Sequence, residues 1–148
     1  MPVESRPQLP RSGDQRTRWD ITFPDGLPAF PGRRIFSVDE VVGAPLACLV
    51  AKDDGGPRFI VLTAPSLYFP DLKSFDLDEA TAALIGATRA SDLVAWLIVT
   101  PLKDGATVNL LGALVVNRDT ALAAQVVRKD LTLPLAAPLP DLEEAHAQ

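Results

Sequence analysis

The chain has 148 residues, of which 47% are apolar and 22% charged. That length and apolar fraction imply one globular unit with its own core and exclude a disordered chain. Lys and Arg number 14 against 19 Asp and Glu, a formal charge of −5, which argues against gripping nucleic-acid phosphates and suits a basic partner instead.

Residues 1–18 carry three prolines and four arginines without apolar periodicity, and read as a flexible N-terminal tail. No positively charged start followed by an apolar core is present there, so no secretory signal is expected. Residues 19–137 read as one β domain. Arg18 to Phe23 alternates through Trp19, Ile21 and Phe23 and stops at Pro24-Asp25-Gly26, and Ile35 to Val38 is a second strand. Leu46 to Ala51 and Phe59 to Thr63 flank Lys52 to Pro57, which predicts a hairpin whose Gly55-Gly56 pair supplies positive φ.

Next comes one helix. Asp76 and Glu79 have capping-box spacing, Leu77, Ala80, Leu84 and Ile85 recur at helical intervals, and Gly86 offers a left-handed stop. About ten residues of helix are expected from that pattern. Val94 to Thr100 and Thr107 to Leu111 flank Pro101 to Ala106, a second hairpin turning at Asp104-Gly105. Leu114 to Asn117, Ala124 to Arg128 and Leu131 to Leu133 complete the strands, and residues 138–148 read as an acidic tail. The fold class is therefore mainly β: an antiparallel closed or partly closed barrel or sandwich with one short helix.

The chemistry-bearing residues are few. The single histidine, His146, lies in the polar tail, so no His-centred triad, base or zinc cluster is expected inside the fold. Gly55-Gly56 has no phosphate-binding Gly-Lys pattern around it. Asp53, Asp54, Asp71, Asp76, Asp78 and Glu79 each have a turn or capping explanation. Neither catalytic residues nor a cofactor nor a metal is expected. Cys48 is the lone cysteine and sits in an apolar run, as a buried thiol would. The apolar run Leu93 to Val99 is far shorter than the roughly 18 residues of a membrane-spanning helix, so the expectation is a cytoplasmic protein, monomeric, without membrane or direct nucleic-acid contacts.

Individual residues carry sharper expectations. Phe23, Phe30, Phe36 and Trp96 read as core, and Pro24 to Pro28 first of all as a turn. Asn109, polar inside an apolar strand, either pins a neighbouring loop or lines a binding surface. Tyr68-Phe69-Pro70, aromatic and at a strand end, suits an exposed anchor for a protein partner. A competing expectation is a ligand-binding barrel or divergent enzyme with a polar pocket around Asn109, which a solidly packed interior would exclude.

Three stretches go beyond generic β patterning. Phe23-Pro24-Asp25-Gly26-Leu27-Pro28-Ala29-Phe30 resembles the F-x-x-G-L-P-G-F motif of the flagellar assembly factor FliW family. Phe59 to Leu62 followed by Pro65 to Asp71 is similar to that family's F-x-V-V-x-P-F-x-F-F-x-D-Y segment. Thr107 to Asn117 resembles its T-x-N-L-L-x-P-I-V-I-N segment, with Gln125-Val126-Val127 matching a downstream Q-V-V. Order and spacing agree over roughly residues 17–135. Ala29 stands where the pattern has its second Gly, Ala113 where it has Pro, and Leu72-Lys73 follow Asp71 where many members carry Tyr then Glu. The resemblance implies a non-enzymatic cytoplasmic regulator. Such a protein binds newly made flagellin and, alternatively, the RNA-binding translational regulator CsrA, so relieving repression of flagellin synthesis. With it, Phe59, Tyr68, Phe69, Asp71, Asn109, Leu110 and Leu111 become the residues expected to form or brace the partner-binding face.

Overall fold

The computed structural model describes residues 1–3, 18–28, 30, 32–41, 43–52, 56–72, 75–128 and 132–139. Its strands are β1 (Pro2–Val3), β2 (Arg18–Thr22), β3 (Ile35–Glu40), β4 (Leu46–Ala51), β5 (Arg58–Leu62), β6 (Phe75–Asp76), β7 (Leu93–Leu102), β8 (Gly105–Val108), β9 (Gly112–Asn117), β10 (Leu122–Val127) and β11 (Ala137–Pro138). The helix α1 spans Glu79–Leu84. Period-two patterning dictates the faces: in β4, Ala47, Leu49 and Ala51 are buried while Leu46, Cys48 and Val50 are half-exposed. β9 is buried along its whole length, because the ring interior lies on one side of it and packed apolar cover on the other.

Strands pair in the order β11-β8-β7-β5-β4-β3-β2-β10-β9, and β9 pairs again with β7. That second pairing makes β2, β3, β4, β5, β7, β9 and β10 a partly closed ring. The ten-residue β7 makes this possible by serving three neighbours: Leu93–Trp96 face β9, Leu97–Val99 face β5, and Val99–Leu102 face β8. A ring with an odd number of strands cannot alternate direction throughout, so one adjacent pair must be parallel. That pair is β10 and β2, joined through Leu122 and Thr22, with the Thr22 N–H donating to the Ala121 carbonyl at 2.9 Å.

The ring interior is filled by Ile21, Phe23, Leu27, Phe36, Val38, Leu49, Val61, Val94, Trp96, Leu114 and Val116, with alanines between them. Phe23 and Phe36 meet edge to face at 5.7 Å, and Trp19 meets Trp96 likewise at 6.0 Å. Two further apolar clusters lie outside the ring. One, on β7, β9 and β10, is covered by Val3, Leu77 and Ile85 around α1. The other, on β5, β7 and β8, is covered by Tyr68, Phe69, Leu72 and the segment from Leu133 to Leu139.

Several expectations are corrected. The helix has six residues, and its N-cap is Asp78, whose carboxylate accepts from the Thr81 N–H at 2.7 Å; Asp76 belongs instead to β6, paired with Pro2. Gly86 does stop it, at φ 69°, with Gly86 and Ala87 donating to the Ala83 and Ala82 carbonyls. The second hairpin turns at Lys103-Asp104, and β7 runs through Pro101. Proline fits because the Asn109 N–H bonds the Ile98 carbonyl on the β8 side, so strand alternation turns Pro101 to the opposite edge, where pairing with β5 ends at Val99. Thr132 and Leu133 are not strand, while Ala137–Pro138 are; Leu131 lies outside the described residues. So do Ala29, the loop residues 53–55, and residues 4–17 and 140–148 of the expected tails, whereas Pro2–Val3 form β1 with Val3 buried. Cys48 is half-exposed on the outer face of β4 rather than buried.

Candidate functional site

The first motif is a stopper for one end of the ring. Phe23 and Leu27 are buried in the interior, and the Gly26 N–H bonds the Phe23 carbonyl at 2.8 Å. Gly26 has φ 73°, a conformation that costs a side-chain-bearing residue about 1–2 kcal/mol. The turn swings Phe30 over the interior, where its ring stacks on Phe59 at 5.3 Å and 17° and leans on Phe36. Phe59 therefore belongs to the ring interior and its rim, apart from the other expected site residues.

The second motif leaves β5 through a single 3-10 turn, Pro65–Leu67, whose Pro65 carbonyl accepts from both the Tyr68 and Phe69 N–H groups. That turn lays Tyr68 into the outer cluster on β5, β7 and β8, where burial pushes its phenol up from the ordinary value. Phe69 is half-buried beside it, Asp71 is exposed, and Leu67 has 59% of its surface in solvent.

The third motif bends the chain between β8 and β9. Asn109 Oδ1 accepts from the Leu111 N–H at 3.0 Å and the Gly112 N–H at 2.8 Å, an Asx turn. The bend buries Leu110 in the same outer cluster as Tyr68 and Phe69, with its N–H on the Pro134 carbonyl, and gives the Leu111 carbonyl to the Arg128 N–H. A Cβ on Gly112 would stand 3.2 Å from Asn109 Nδ2 and 3.4 Å from Gln125 Nε2, so the N-L-L-G and Q-V-V segments meet here. Arg128 is buried at this end, and burial lowers its guanidinium below the ordinary value.

Tyr68, Phe69 and Leu110 thus share one cluster outside the ring, Asn109 and Leu111 form the bend that sets it, and Asp71 lies on its exposed margin. Leu67 and Leu135, both largely exposed, adjoin it in sequence; sequence reasoning passed over them because nothing local separates a solvent-facing leucine from a core one. It also missed the opposite end of the ring. There Glu40 accepts from Arg118 at 3.1 and 3.3 Å and from Trp19 Nε1 at 3.2 Å, and Arg118 lies over the Trp19 ring. Three distant segments meet in that network, so no local signal marks it. Among the described residues, no group of three or more His, Cys, Asp or Glu could hold a metal ion. No helix among them is long and apolar enough to cross a membrane. Apolar packing fills the ring, and Asn109 gives its oxygen to backbone N–H groups, so a polar ligand pocket around Asn109 lacks its central group.

Fold and site define a small, mainly β protein with a plugged ring and an apolar cluster on its outer wall. A family model described as FliW protein matches residues 11–139, and the chain belongs to the FliW family. It is 34% identical to a flagellar assembly factor FliW of Bacillus licheniformis over 113 residues, 74% of this chain and 78% of that protein. Against a flagellar assembly factor FliW of Bacillus subtilis the identity is 30% over 122 residues, 80% and 84% of the two chains. A crystal structure of the flagellar assembly factor FliW superposes with a TM-score of 0.71 at 24% identity, covering 80% of this chain and 84% of that one.

Proposed function

We propose that this protein is a cytoplasmic flagellar assembly factor that works by binding other proteins and catalyses no reaction. It holds newly made flagellin and, when flagellin is scarce, binds a CsrA-type RNA-binding regulator instead, so that export of flagellin shifts it between the two. The observation that carries this reading is exposed Leu67 with half-buried Phe69 on the turn at Pro65, which buried Tyr68 anchors in the outer cluster with Leu110. Apolar side chains fixed on a sheet's outer wall are the material of a protein contact. Asp71 and Leu111 complete the face, while Phe59 and Asn109 brace it from the ring rim and the β8–β9 bend. A net charge of −5 favours association with a basic RNA-binding protein over RNA itself.

Co-elution of the purified protein with flagellin and with the CsrA-type regulator tests the reading. Wild type should form both complexes, one displacing the other. Leu67→Asp, at an exposed position, should weaken capture while leaving the thermal midpoint in place. Failure of wild type to form either complex at low and moderate salt defeats the reading.

A further inference from the structure

Among the described residues, β10 has an open edge. The Arg128 N–H bonds the Leu111 carbonyl of the β9 side at 2.7 Å, and β10 pairs with β9 from Leu122 to Val127. Strand alternation therefore turns the Ala124 and Val126 backbone toward β9, and the Gln125 and Val127 backbone outward. On that outward side the next strand is β2, which meets β10 only at Leu122. Beyond Thr22 the chain departs: the Phe23 N–H bonds the Arg34 carbonyl and the Pro24–Pro28 turn begins. Among the described residues no strand pairs with Gln125 or Val127 from that side, and Val127 is 63% exposed.

Proteins usually blunt such an edge with charge, proline or a bulge. The other free edge of this sheet, β11, carries Pro138. β10, Leu-Ala-Ala-Gln-Val-Val, has neither charge nor proline. A row of outward N–H and C=O groups on an uncharged strand is complementary to another extended main chain. We propose that the β10 edge receives an extended, uncharged segment of the flagellin partner as an added strand, continuing the line that β2 abandons at Phe23. This rests on the protein-binding reading above and adds a main-chain contact distinct from the outer cluster.

Flagellin is the probe. Val127→Pro removes a donor that faces outward and costs β10 no bond to β9, so the fold should persist while flagellin capture falls about tenfold, the worth of roughly one main-chain hydrogen bond. Val127→Ala keeps that donor and should capture like wild type. Independently of any variant, amide hydrogen exchange at Gln125 and Val127 should slow in the flagellin complex, with Ala124 and Val126 already protected in the free protein. Unchanged exchange at Gln125 and Val127 in a formed complex overturns the edge proposal and leaves protein binding standing. Absence of any wild-type complex overturns both. Slowing that appears without flagellin and grows with protein concentration makes a second copy the occupant, and also overturns the proposal.

Discussion

Replacing Asn109 separates a residue that builds the bend from one that touches a partner. Its Oδ1 accepts two backbone N–H groups, Leu111 at 3.0 Å and Gly112 at 2.8 Å. Asn109→Ala leaves both without an acceptor in a half-buried bend. At about 1 kcal/mol net for each bond, the loss is about 2 kcal/mol. With a urea m-value of about 2 kcal/mol/M, the unfolding midpoint should fall by about 1 M at unchanged slope. Asn109→Asp keeps both acceptors, and aspartate forms the same turn, so it should recover most of the lost midpoint. Urea unfolding followed by tryptophan fluorescence suits the measurement, since Trp96 is in the ring interior. If Asn109→Ala unfolds at the wild-type midpoint, or Asn109→Asp falls as far as alanine, the bend does not depend on that oxygen.

Two further perturbations probe the backbone. Ala121 has φ 59°, the one non-glycine in the left-handed region among the described residues; Ala121→Gly should stabilise by about 0.5–1 kcal/mol, seen as a higher thermal midpoint, and Ala121→Val should lower it. The Asp78 carboxyl is held below its ordinary value, first by the Thr81 N–H and then by the Thr81 hydroxyl. A folded-state value below the unfolded one means stability present above the ordinary carboxylate range and lost as pH falls through the lowered folded value. Protection of the α1 amides should therefore weaken below about pH 4 in wild type, and Asp78→Asn should flatten that dependence.

Local chemistry wrote much of this fold into the sequence. The β2 alternation, the Gly86 stop and the Gly26 turn need only neighbours to act, and each is where the pattern places it. What failed was what depends on distant segments. Asp76 and Asp78 look alike as caps until β1 arrives to take Asp76 into a strand. Pro138 argues against a strand until β8 supplies an edge, and Pro101 until β5 ends at Val99. At the site, Tyr68 and Phe69 read as an exposed pair, yet the Pro65 turn buries Tyr68 and leaves the preceding Leu67 outside. Asn109 stayed ambiguous because its partners, two and three residues on, are bonded only once the chain bends.

The odd strand count leaves the cylinder with one seam thin in main-chain pairing. Every other contact around its circumference is a ladder of several residues; the β10–β2 contact is a single rung. Side chains close that line instead: the Arg118 guanidinium reaches across it to the Glu40 carboxylate and the Trp19 ring, and Ala123 shares the packed interior with Ile21 and Phe36, so the thinnest main-chain seam is held by contacts that no strand register records.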